Sequence, residues 1–132
     1  MIFKGYSQTV IDHFMEPYNN YEMTDANGVG QAGDPSCGDA VGIYIKVADE
    51  TIEKASFVVM GCVGAIASSS MTTMLIEGKT IAEAYALTPE EIAEALGGLP
   101  EHKIHCSVMG AEAVRHAIDD YKKKRGQAAL KQ

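Results

Sequence analysis

Residues 40 to 60 constrain the fold of this chain more than any other stretch. Val41, Ile43, Ile45 and Val47 alternate with Gly42, Tyr44 and Lys46, the period-two pattern of a strand with one face buried. Asp49-Glu50 makes a turn, and Ile52 to Met60, with Phe57, Val58 and Val59, reads as the antiparallel partner. A hairpin is therefore expected, and its neighbours must cover the apolar face.

Those neighbours read mostly as helices. Phe3, Tyr6, Val10 and Phe14 recur at helical steps, giving an amphipathic first helix that Pro17 ends. His13 on that helix is a surface or packing residue, since nothing nearby shares ligand spacing. From Asn19 to Gly38 the chain is rich in Gly, Asn and Asp, and Gly28, Gly30 and Gly33 suggest a flexible, weak first strand leading into a turn. After Gly61-Cys62 the period changes: Ala67, Met71, Met74 and Leu75 fall on one helical face, with Gly78 as a stop. The methionines there are core filler, and Ser68, Ser69 and Ser70 mean tight packing, not a nucleophile.

Thr80 with Glu83, and Thr88-Pro89 with Glu91, are successive capping boxes that start two short helices. Gly97-Gly98 closes the second, and Leu99-Pro100 is expected to force an extended segment that runs into Lys103. Ala111, Val114, Ile118 and Tyr121 then give a last, long helix its buried stripe. Lys122 to Arg125 oppose the negative end of its dipole, and fraying is expected beyond Gly126.

At 132 residues the chain fits one domain, taken as residues 1–126 with a frayed tail at 127–132. Eleven basic against eighteen acidic residues give a net charge of -7, which argues against nucleic acid or an anionic membrane as partner and leaves proteins or cations. No apolar run approaches a membrane span and no export signal is visible, so the expected compartment is the reducing cytoplasm. Three cysteines cannot pair internally without leaving one over; in such a compartment, clustered thiols point to metal or sulfur chemistry.

All three cysteines sit at junctions. Cys37 lies in Gly-Asp-Pro-Ser-Cys-Gly-Asp just before the hairpin, and an extended backbone puts Asp39 on the same side. Cys62 follows the second strand, at the end of the sheet where the first begins, so the hairpin brings it near Cys37. His105 and Cys106 stand where a loop becomes the last helix, whose N-terminus favours a thiolate. If that helix starts at the same end of the sheet, they complete the group. No Cys-x-x-Cys pair is present, and spacing alone leaves iron and zinc open.

The chain resembles the IscU/NifU N-terminal family of U-type iron-sulfur cluster assembly scaffolds. The likeness runs from Tyr6-Ser7 with Val10-Ile11-Asp12-His13-Phe14, through Pro35-Ser36-Cys37-Gly38-Asp39 and Gly61-Cys62 with Ala65 to Ser70, to Lys103-Ile104-His105-Cys106-Ser107. The resemblance implies an α+β fold, a small antiparallel three-stranded sheet packed against several helices, with a long C-terminal helix. It also implies a [2Fe-2S] cluster, or zinc in the cluster-free form, held by Cys37, Cys62 and Cys106 with Asp39 or His105 as fourth ligand and Lys103 beside them.

The function so implied is assembly of a labile cluster from iron and desulfurase-derived sulfur, followed by transfer to apo-proteins. That is a scaffold and sulfur acceptor, not an enzyme. The alternative is a zinc-binding sulfurtransferase partner of a cysteine desulfurase. The uninserted interval from Cys62 to Cys106 favours iron over that alternative. The implied partners are a cysteine desulfurase, apo iron-sulfur acceptors, a ferredoxin and an iron donor. Cys106 is the expected first persulfide acceptor, because its helix-end position should help ionise it.

Two departures stand out. Val63 replaces a small residue after the second cysteine. Leu99-Pro100-Glu101-His102-Lys103 keeps only Leu, Pro and Lys of the family's chaperone-recognition motif, which counts against release driven by an Hsp70-type chaperone.

Overall fold

In a computed structural model, which describes residues 5–34 and 38–130, the hairpin forms as its alternation requires. Strands β1 (Gly28–Asp34), β2 (Asp39–Ala48) and β3 (Thr51–Met60) make one antiparallel sheet in the order β1-β2-β3. Asp49 and Glu50, at φ 51° and 63°, turn the chain between β2 and β3. Positive φ at both loop residues gives the twist that flanking strands need. A register shift at Lys46/Val47 bends the pair.

Helices occupy the inner face of the sheet. They are α1 (Gln8–Met15), α2 (Val63–Ile76), α3 (Ile81–Tyr85), α4 (Pro89–Ala95) and α5 (His105–Leu130), which continues past Gly126. Val41, Ile43, Ile45 and Val47 of β2 are buried, as are Ala55 and Phe57 of β3, and α2 and α5 close over them. Burying each of the valine, isoleucine and phenylalanine side chains stabilises the fold by roughly 1.5–3 kcal/mol. The expected architecture of a three-stranded antiparallel sheet, several helices and a long last helix is the one observed. Among the described residues no helix is long and apolar enough to cross a membrane.

The glycines of β1 are not a sign of flexibility. A Cβ on Gly30 would lie 2.2 Å from Ala113 O and Ala117 N of α5, and one on Gly28 would lie 2.6 Å from Ala117 O. Glycine is what lets the helix backbone rest on the strand. From the same helix, Asp120 Oδ2 accepts the Val29 N–H at 2.9 Å and His116 Nδ1 donates to Gln31 O at 2.7 Å. Polar groups at the sheet's outer edge are thereby satisfied.

Helix α2 departs from the one-sided pattern its sequence suggests. Met74 is 44% exposed, whereas Ser68, Ser69, Ser70, Thr72 and Thr73 are all buried. Ser69, Thr72 and Thr73 donate to the carbonyls of Ala65, Ser68 and Ser70 in their own helix, which lets these three tolerate burial, whereas the buried Ser68 Oγ has no hydrogen-bond partner among the described residues. Ser70 Oγ accepts the Tyr18 N–H at 2.9 Å and lies 2.7 Å from His13 Nδ1. The serine triplet is packing, and His13 locks α1 onto α2. Phe3 lies outside the described residues; Ser7 caps α1 by accepting the Val10 N–H.

Both capping boxes are present, on Thr80 and Thr88. Gly78 and Gly97 take the positive φ that ends a helix. The stretch after Leu99 is not extended throughout: Pro100 is, but Glu101–Lys103 close a single 3-10 turn, with Lys103 N–H bonded to Pro100 O at 2.8 Å. This turn delivers Lys103 and His105 to the end of the sheet where β2 starts and β3 finishes.

Candidate metal centre

Three chain junctions meet at that end. Asp39 opens β2 in step with Val41, so its carboxylate points to the inner face, where it is only 7% exposed. Cys62 is the N-cap of α2, and its thiol makes no capping bond there, which leaves the sulfur free. Cys106, in the first turn of α5, is 2% exposed. One ligand atom from each of Asp39, Cys62 and Cys106 lies within 4.8 Å of the other two.

His105 joins them. Its Nε2 is 3.3 Å from Asp39 Oδ2 and 3.7 Å from Cys106 Sγ, while Cys62 Sγ lies 3.8 Å from Asp39 Oδ2 and 4.0 Å from Cys106 Sγ. A tetrahedral ion with bonds of about 2.0–2.3 Å to N, O and S has ligand-to-ligand edges of about 3.3–3.8 Å. Asp39, Cys62 and Cys106 approximate three corners of such a set, and His105 touches it through Asp39 and Cys106. Thiolates suit iron or zinc, and one carboxylate and one imidazole make the set mixed. Cys62 and Cys106 are both free thiols.

Cys37, the third expected thiolate, lies outside the described residues. Asp39, Cys62, His105 and Cys106 are brought together as expected, and Lys103 stands beside Cys62. Burial opposes the charge on Lys103, but Cys62, Tyr6 and Cys106 outweigh it and hold the ammonium's pKa above its usual value.

The electrostatics of Cys106 run against the helix-end expectation. Burial, then the neighbouring Cys62 and Asp39, push its thiol up to about 12, with Lys103 only partly opposing them. Without a bound cation, desolvation and adjacent negative groups outweigh the partial charge of a helix N-terminus.

Tyr6 also borders this site, beside Cys62, Lys103 and Cys106. Its phenol pKa is raised, first by burial and then by Cys62 and Cys106, while Lys103 and a backbone hydrogen bond at Gly64 pull it down. In the sequence it looked like one more aromatic in a helical stripe. The only available signal was its place ahead of Ser7, a strong N-cap, which puts it outside the helix.

The family model for the NifU-like N terminal domain matches residues 5–128. The chain is 53% identical over 121 residues to iron-sulfur cluster assembly scaffold protein IscU 1 of Archaeoglobus fulgidus, covering 92% of this chain and 79% of that one. Against the protein of the same description, IscU, in Escherichia coli K12, it is 48% identical over 125 residues, covering 92% and 97%. Among solved structures, the N-terminal part of a nitrogen-fixing NifU-like protein from Brucella abortus superposes with a TM-score of 0.73 at 18% identity, covering 93% of this chain and 98% of that one. That last likeness concerns the fold.

Proposed function

The chain belongs to the NifU-like N-terminal domain family, and from that premise we propose that it is a scaffold on which an iron-sulfur cluster is assembled and from which it is passed to apo-proteins. Its curated relatives carry that description. The observation that supports the reading is the convergence of Asp39, Cys62 and Cys106, whose ligand atoms lie within 4.8 Å of one another, with His105 Nε2 3.3 Å from Asp39 Oδ2 and 3.7 Å from Cys106 Sγ. The cargo is a [2Fe-2S] cluster, with Cys37, Cys62 and Cys106 as thiolate ligands and Asp39 or His105 as the fourth. Residues 1–126 act as one domain in this.

The mixed donor set gives the reason. Four thiolates hold a cluster durably; a hard carboxylate or an imidazole in one position is more easily exchanged. Lys103 supplies positive charge against the thiolates. In the sulfur step, a scaffold thiolate attacks the outer sulfur of a cysteine desulfurase persulfide; the new S–S bond forms as the old one breaks, and the desulfurase thiolate leaves. Cys106 is the proposed acceptor, its thiol ionising once a bound cation offsets the burial and the neighbouring Cys62 and Asp39 that disfavour the thiolate. Two electrons from a ferredoxin-type donor then release sulfide, which joins iron brought by an iron donor.

Free thiols 4.0 Å apart suit a reducing compartment, so the cytoplasm is the proposed location. Catalytic sulfurtransferase activity is not part of this reading, nor is release by an Hsp70-type chaperone. Anaerobic reconstitution with ferrous iron and sulfide, followed by incubation with an apo-ferredoxin, tests it. A coloured protein that loses its colour as the ferredoxin gains it is the expected result. Tight zinc, no colour and stimulation of a desulfurase would replace the scaffold with the zinc-bound sulfur acceptor.

A further inference from the structure

Two glycines flank Cys62, and each vacates space that another donor fills. A Cβ on Gly61 would sit 2.6 Å from Asp39 Oδ1, closer than real contacts allow, and a tight 3.1 Å from its Cγ. A Cβ on Gly64 would sit 3.2 Å from Cys106 Sγ and 3.8 Å from Cys62 Sγ. Neither glycine has a positive φ, so backbone conformation does not call for glycine at either place.

The carboxylate is thereby turned. Oδ1 lies over Gly61, while Oδ2 is the oxygen near both Cys62 Sγ, at 3.8 Å, and His105 Nε2, at 3.3 Å. We propose that Gly61 and Gly64 are positioning residues for the cargo: Gly61 seats Asp39 so that one oxygen faces the metal, and Gly64 sets how closely the Cys106 sulfur approaches that of Cys62. This deepens the scaffold reading and rests on it. A side chain at 61 displaces the carboxylate as a ligand; one at 64 spreads the thiolates. Gly61 also faces Ala65 Cβ at 3.0 Å, so a purely steric cost at that position must be separated from the effect on Asp39.

Double-mutant cycles make the separation, with cobalt(II) titrated anaerobically into the metal-free protein and read by its thiolate charge-transfer band. Contacting residues couple, and independent ones add. Gly61→Ala should weaken cobalt binding about tenfold in the wild type, yet change it little in Asp39→Asn, which keeps the shape but offers no carboxylate to seat, and in Asp39→Ala, where the space is open. Gly64→Ala should shift the charge-transfer band in the wild type and in Asp39→Ala, and lose that effect in Cys106→Ala. Equal effects of Gly61→Ala in all three backgrounds, or of Gly64→Ala with and without the Cys106 sulfur, would overturn the positioning role while leaving the scaffold reading intact. A wild-type chain that takes up neither cobalt nor a cluster would overturn both.

Discussion

Cys62 and Cys106 stand 44 residues apart in the chain, yet their sulfurs lie 4.0 Å from each other. One belongs to an N-cap and the other to a helix's first turn, so neither depends on a long, mobile loop for its place. Cys62→Ser and Cys106→Ser should each lower cobalt(II) affinity at least about a hundredfold, since losing even an outer partner of a metal ligand costs roughly 10- to 100-fold. Anaerobic titration checks this. The same variants test the sulfur step: mass spectrometry after incubation with a desulfurase and cysteine should find persulfide in Cys62→Ser and none in Cys106→Ser. A persulfide on Cys106→Ser would move the acceptor elsewhere.

Asp39 is the buried hard ligand among soft ones. Asp39→Ala removes the exchangeable position, so a reconstituted cluster should persist several-fold longer under chelator challenge and move more slowly to an apo-ferredoxin. The melting temperature should shift by only a few degrees, because the change also removes a negative charge from beside two thiols. Unchanged lifetime and transfer would remove the labile-ligand idea.

His13 makes stability pH-dependent. Burial lowers its pKa from 6.5, with Asp12 partly opposing, and Ser70 and the Tyr18 ring pack around it. An imidazole with a lowered folded pKa binds its proton more weakly in the folded chain. The contribution is therefore complete above about pH 6.5, falls away as pH drops below it, and levels off under the folded value. Urea midpoints between about pH 7.5 and 5.5 should fall more steeply for the wild type than for His13→Gln, which keeps a polar partner for Ser70 without titrating. Parallel pH profiles would contradict this.

What the sequence reveals of this fold follows from which residues carry a directional signal. The hairpin is legible because Val41, Ile43, Ile45 and Val47 report their own burial, and Thr80 and Thr88 are legible because a cap is a local hydrogen bond. The antiparallel rule was enough to send Asp39 and Cys62 to one end. Glycines report nothing about what touches them, so Gly28 and Gly30 looked loose although α5 rests on them. Ser69, Ser70, Thr72 and Thr73, satisfied inside α2, imitate a polar face, and Tyr6 imitates a core aromatic. At Cys106 the helix end was visible, but the burial that overrides it depends on Cys62, Asp39 and Lys103 arriving from elsewhere.

The α5–β1 contact offers the sharpest test of how the site is held in place. With a Cβ at Gly30 lying 2.2 Å from two backbone atoms of α5, no side-chain rotation can relieve the clash, and helix and strand must separate. Overpacking of flexible core side chains costs about 1–3 kcal/mol, so Gly30→Ala, against rigid backbone, should cost about 3 kcal/mol or more in urea unfolding. Because α5 carries His105 and Cys106 while β1 pairs with the strand that carries Asp39, the separation should also reach the site. Cobalt(II) affinity should fall in any Gly30→Ala protein that remains folded, whereas Thr88→Ala, which costs about 1 kcal/mol by losing a cap on α4, should leave it unchanged. Equal losses of affinity in the two variants would mean that global stability, not the seating of α5 on β1, governs the site.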